Sequence, residues 1–174
     1  NRHRMWTTHN IDAIVEFLCE FRIEEIVVNN LVAYKSTTDM LRIIAYIKQN
    51  CLGRTHVSFR GHDFQAICPS FNLMNCDGNY CDLCYAGGCE DCWQHKKLSD
   101  NPISHNVLKS GATSICTWRN AWGKFFTYTV DEIILFAEPI EKIFLRAYPD
   151  IQNKIKIIPH AVRNYRRTKI RPHD

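Results

Sequence analysis

The order of apolar and amphipathic segments predicts an α/β fold, a Rossmann-like, mostly parallel sheet with helices on both faces. Four short apolar runs alternate with stretches whose apolar residues recur at helical spacing. Strands that alternate with amphipathic helices are joined by right-handed crossovers, and such crossovers make neighbouring strands parallel. One stretch breaks the pattern. Residues 65–117 carry little periodicity, and that is too long for an ordinary loop in a compact domain.

Taken in order, Ile11, Ile14, Val15, Leu18 and Cys19 form one helical face. The apolar run within residues 25–31 is a buried strand. Ser36-Thr37-Thr38-Asp39 resembles a capping box and opens a helix with Met40, Ile43, Ile44 and Ile47 on one side. Gly53 stops it. A second strand spans Thr55 to Phe59 and ends in Arg60-Gly61-His62-Asp63. Past the long insert, Trp118, Ala121, Trp122, Phe125 and Phe126 share a helical face. Residues 132–137 form a strand, and Pro139 stands at a first helical turn. The stripe Ile140, Ile143, Phe144, Ala147, Tyr148 follows, then a strand over 154–158 ending at Pro159-His160. The expected order is α-β-α-β, insert, α-β-α-β.

A length of 174 residues suits one domain, and 45% hydrophobic residues supply a core. There is no run of about 18 apolar residues and so no expected membrane span. The start, Asn1-Arg2-His3-Arg4-Met5-Trp6, has neither an initiator Met nor the apolar run of a signal peptide. A fragment of a cytoplasmic chain is the expectation. The net charge of +4 is mild, and much of it lies in Arg163, Arg166, Arg167, Lys169 and Arg171. That tail reads as a solvated linker, with nucleic acid or an anionic membrane face as the other partners it could meet.

Parallel sheets bind ligands at the carboxyl ends of their strands. Here those ends carry Asn29-Asn30, Gly61-His62-Asp63, Glu138 and His160. An imidazole at His62 can donate to or accept from a hydroxyl near neutral pH. Asp63 could orient it or form a turn with its own backbone. Gly61 would let the chain turn tightly. Arg60 could meet a phosphate or stay a surface arginine. A strand-end or hinge role is open for Asn29, Asn30 and His160.

Of nine cysteines, five fall between positions 76 and 92. They include Cys81-x-x-Cys84 and Cys89-x-x-Cys92, and this knuckle spacing points thiolates at one tetrahedral zinc. A closed structural zinc site is expected, with an iron–sulfur cluster, free thiols or disulfides as the other readings. Cys19, Cys51 and Cys116 read as ordinary buried residues. Tyr85 and Trp93 would cover a small metal-stapled core or stack on a ring, and Trp118 and Trp122 belong to the main core.

From Phe59-Arg60-Gly61-His62-Asp63-Phe64 through Cys68-Pro69 to Asn72-Leu73 the chain resembles the N-terminal domain of glycosyltransferase family 4. Gly78, Tyr80-Cys81, Cys89, Cys92, Trp118-Arg119, Tyr148-Pro149 and Ile157-Ile158-Pro159-His160 continue the likeness over residues 24–161. The resemblance implies an acceptor-side half of a GT-B fold, truncated at both ends, with its donor-binding C-terminal domain missing. It also implies retaining transfer from a nucleotide-sugar donor to a glycan or lipid-linked glycan acceptor, at or near the inner membrane face. His62 would contact the donor sugar, with Asp63 beside it. Cys68, Cys81, Cys89 and Cys92 would be the family's four cysteines. The glycine-rich turn after that family's first strand is absent. With the early strands missing, the edge of strand 25–31 would invite self-association. The competing reading is a non-catalytic zinc-knuckle module that binds nucleic acid. Asp77, Asp82, Glu90 and Asp91, without a basic residue in 76–92, oppose it. No G-x-G-x-x-G follows a strand, which argues against a dinucleotide site.

Overall fold

The computed structural model describes residues 11–32, 34, 36–52, 54–75, 77–81, 83, 88–97 and 112–160. Gly53, Cys76, Asp82, Cys84, Tyr85 and the basic tail 163–174 lie outside them. Chain order is α1 (Ile11–Cys19), β1 (Glu25–Val28), α2 (Thr37–Asn50), β2 (His56–Arg60), α3 (Gly88–Lys97), α4 (Ile115–Tyr128), β3 (Glu132–Leu135), α5 (Glu138–Ala147), a 3-10 turn (Pro149–Lys154) and β4 (Ile155–Ile157). The four strands make one sheet in the order β1-β2-β3-β4, and every pair is parallel. The α/β class and parallel sheet are as expected. Helix α3 and the 3-10 turn were not.

Local chemistry sets the ends. Ser36 caps α2, its hydroxyl accepting from Asp39 N at 3.3 Å. A full capping box opens α4, where Ser114 Oγ accepts from Thr117 N at 3.1 Å and Thr117 Oγ1 accepts from Ser114 N at 2.9 Å. Cys51, ahead of Gly53, is the C-cap of α2.

Consecutive strands in linear order, joined by right-handed crossovers, send α2, α4 and α5 to one face of the sheet. Val28, Val57, Phe59, Ile133 and Leu135 point into that layer and are buried. On the alternate face Glu25, Val27 and Lys156 are exposed. Ser58, on that same face, is buried, its hydroxyl donating to Glu25 Oε1 at 3.4 Å. The core is aromatic. Phe59 meets Trp122, Phe126 and Phe144 with ring centroids 5.8, 5.0 and 6.1 Å away. Burying each such side chain stabilises the fold by roughly 1.5–3 kcal/mol.

The amino ends of the strands are closed by charge. Lys48, at the end of α2, donates to Asp131 Oδ2 at 2.7 Å and to Thr129 O at 2.6 Å. The same carboxylate oxygen accepts from Val57 N at 2.8 Å. Partial burial pushes the Asp131 carboxyl up, but Lys48, the Val57 N–H and His56 outweigh it and hold the group below its usual range. Lys154 donates to three carbonyls, Phe126 O at 2.8 Å, Thr127 O at 2.7 Å and Val130 O at 2.8 Å. These acceptors end α4 or follow it, where a helix leaves carbonyls without helical partners.

The aperiodic insert belongs to the main core. Ala66, Ile67, Leu73, Leu83 and Trp93 join the same buried cluster as the sheet and α4. Trp93 is therefore a core residue. Leu73 and Leu83 take left-handed backbone, φ 56° and 67°, which costs a leucine about 1–3 kcal/mol and persists where the surroundings fix it.

Candidate functional site at the carboxyl edge of the sheet

Three rings meet where β2, β3 and β4 end. His62 follows β2, Phe136 follows β3, and His160 lies just past β4. Phe136 and His160 stack face to face, centroids 3.9 Å apart and planes at 11°. His62 lies 4.7 Å from Phe136 and 5.8 Å from His160. Both histidines are exposed. Parallel pairing in register brings this about, since Arg60 pairs with Ile134 and Leu135 with Ile157, so the three strand ends are adjacent. The sequence marks Phe136 only as a strand residue. Its signal was its place, one residue past the end of a strand flanked by two histidine-bearing strand ends.

Gly61 earns its place by packing. A Cβ there would stand 2.6 Å from Leu135 Cδ2 and 3.4 Å from Phe144 Cζ. Among the described glycines only Gly78 has a left-handed φ. The expected tight turn is there, with His62 N donating to Arg60 O at 3.0 Å across Gly61, and the absent side chain also lets β2 run against β3 and α5. Gly61 N donates to Ile134 O at 2.9 Å, which carries the sheet pairing up to His62.

Asp63 is partly buried and makes the turn with its own backbone. Its Oδ1 accepts from Gln65 N at 2.8 Å, a turn within its own loop, and its carboxylate also faces His62 and the Asn30 side chain. Burial raises its pKa, and these partners only partly offset that. A carboxyl raised by burial beside an imidazole is the kind of group that acid–base sites employ. Asn30 Oδ1 also takes Val32 N at 3.4 Å. The structure therefore joins Asn30 to Asp63. Asn29 is exposed after β1, Glu138 is exposed in the first turn of α5, and Arg60 is exposed at the end of β2 on the face opposite Phe59.

Residues missed in the sequence hold this edge. Gln65 is buried; its Oε1 accepts from Leu31 N at 3.0 Å, and its Nε2 donates to Thr37 Oγ1 at 3.2 Å. It thereby ties the β1–α2 connection to the segment after His62. Three side chains then bind three successive carbonyls: Trp118 Nε1 to Gln65 O at 2.9 Å, Tyr148 Oη to Ala66 O, and Arg119 Nε to Ile67 O at 2.9 Å. A buried network with this much satisfaction fixes backbone position. The only hint in the sequence was a lone glutamine among apolar residues.

Among the described residues no three of histidine, cysteine, aspartate and glutamate come together as a metal ion would need. Cys68, Cys81, Cys89 and Cys92 are half-buried, and Cys84, the fifth expected ligand, lies outside the described residues. Cys89 and Cys92 share the first turns of α3, and Arg119 Nη2 donates to Cys89 Sγ at 3.4 Å. Burial and carbonyl capture hold residues 65–67. Cys116 is exposed, and Cys19 is half-buried and paired with buried Cys51, so the three are not uniformly ordinary core residues.

Two grooves lie away from this edge. One, about 590 Å³, runs between α2 and α4 past Arg42, Asn120 and Lys124. The other, about 280 Å³, lies beside Gly123 and Pro149. Neither contains His62 or Asp63. The strand order has no reversal among the described strands, so the sheet supplies carboxyl ends without a switch-point crevice.

No helix among the described residues is long and apolar enough to cross a membrane. Comparison with models of known families, with curated proteins and with solved structures gives no match. The likeness to glycosyltransferase family 4 rests on the residues quoted above.

Proposed function

We propose that the chain is the acceptor-side, Rossmann-like part of a GT-B glycosyltransferase, a retaining enzyme that moves a sugar from a nucleotide donor to a glycan or lipid-linked glycan. The observation that carries this reading is the convergence of His62, Phe136 and His160, with Asp63 and Asn30 beside them, on the carboxyl ends of adjacent parallel strands. Sugars need such a surface, with imidazole nitrogens for hydroxyls and a flat apolar face beside them. Rigid placement by Gln65, Trp118, Arg119 and Tyr148 suits a reaction driven by position and electrostatics. Asp63 would orient His62, and Asn29, Arg60 and Glu138 line the same edge as further polar contacts. Donor phosphates would fall mainly to a second Rossmann-like domain, so the 174-residue chain binds sugar weakly and transfers none.

The test is NMR titration of the 174-residue chain with UDP-glucose and, separately, a short oligosaccharide. The reading expects the ring signals of His62, His160 and Phe136 to shift in fast exchange, with millimolar binding. Unmoved ring signals at saturating sugar, or shifts confined to the α2–α4 groove, overturn it.

A further inference from the structure

The sulfur atoms of Cys19 and Cys51 stand 3.1 Å apart, nearer than two sulfurs rest in ordinary contact, although their residues are 32 positions apart. Cys19 is the last residue of α1, and Cys51 caps the end of α2. The two helices pack on each other. Neither cysteine belongs to the 76–92 cluster or to the carboxyl edge. Cys51 is buried, Cys19 is half-buried, and both are free thiols. Burial, together with the neighbouring Cys19 sulfur, pushes the Cys51 thiol up to about 11. A buried thiol of that kind is a poor first nucleophile, whereas its more accessible partner can meet an oxidant.

We propose that Cys19 and Cys51 form a reversible disulfide that staples α1 to the end of α2. The oxidant is a small-molecule disulfide such as oxidised glutathione. The Cys19 thiolate attacks one oxidant sulfur and expels the first thiolate, leaving a mixed disulfide on Cys19. The Cys51 sulfur then attacks the Cys19 sulfur, expels the second thiolate, and closes the bond. Two protein thiols lose two electrons and two protons; the oxidant gains both and leaves as two thiols. The closed loop contains β1, whose outer edge no described strand pairs and whose end carries Asn29 and Asn30. The staple therefore holds the edge unit α1-β1-α2 together. Closing a loop of this length removes unfolded-state freedom, so the oxidised form melts roughly 5–10 °C higher.

The experiment treats the folded 174-residue chain with oxidised glutathione, blocks remaining thiols, and maps cross-linked peptides by mass spectrometry. Expected is a Cys19–Cys51 cross-link that dithiothreitol reverses, with a raised Tm that returns on reduction. Cys51→Ala should leave a stable glutathione adduct on Cys19 and no rise in Tm. Cys19→Ala should leave Cys51 unmodified in the folded chain. Both thiols remaining free, or Cys19 cross-linked elsewhere in the wild-type chain, overturns the proposal. So does a Cys19–Cys51 bond that forms only after unfolding in denaturant.

Discussion

The two ends of the sheet are built from similar residue types to opposite effect. At the amino ends, Lys48 and Asp131 bond each other, and these two and Lys154 also take backbone carbonyls and a backbone N–H, all at 2.6–2.8 Å. At the carboxyl ends, His62 and His160 are exposed and meet other rings, while the polar bonding is pushed one layer down, to Gln65 and the carbonyls of residues 65–67. One end spends its polar groups on closing the chain. The other fixes the backbone from beneath and leaves its imidazoles facing outward. Parallel sheets favour this division because each strand's carboxyl end feeds a loop that must leave the sheet, and loops positioned by a rigid scaffold carry binding groups.

The largest expected effect lies at the amino end. Lys154→Met keeps the apolar stem and removes the donor for three carbonyls, so stability should fall by about 2–3 kcal/mol. For a chain of this size that is roughly 5–10 °C in Tm, read by calorimetry. Sugar-induced shifts at His62 should stay as in the wild type. A smaller loss, about 1–2 kcal/mol, is expected for Asp131→Asn, which weakens the contacts to Lys48 and Val57 N. This one carries a pH signature. The folded Asp131 carboxyl lies below its ordinary value, so the unfolded chain takes up that proton first as pH falls. Its contribution is fully present above about pH 4 and is lost as pH falls through the lowered folded value. Denaturant titrations at pH 7 and pH 3 should show the gap between wild type and Asp131→Asn closing at the lower pH. A constant gap would mean that Asp131 acts by shape alone.

The same contrast explains what could be read in the chain. The strands within 25–31, 55–59, 132–137 and 154–158 were legible to within a few residues because strand type follows from short apolar runs, and the helical stripes of α2, α4 and α5 from period 3.6. His62 and His160 could be placed at strand ends by the same logic. Phe136 could not be separated from the apolar run of β3, because a residue one step past the sheet looks like one inside it. Residues 65–67 were opaque for another reason. Their order comes from Trp118, Tyr148 and Arg119, more than 50 positions away, bonding to carbonyls, and carbonyls leave no trace in side-chain patterning. Helix α3 was hidden because Cys89 and Cys92 suggested metal knuckles, while their spacing of three equally suits one face of a helix. Nor did spacing hint that Cys19 and Cys51, which sit in different segments, would meet.

The division between the ends is tested most directly by the double variant His62→Ala/His160→Ala, measured for both melting temperature and sugar binding. The account predicts a Tm within about 2 °C of wild type, because exposed rings contribute little to the core. It also predicts at least a tenfold weaker response to UDP-glucose or the oligosaccharide, whichever the wild type binds, equivalent to about 1.4 kcal/mol. A Tm drop as large as that of Lys154→Met, or sugar binding unchanged from wild type, would contradict it.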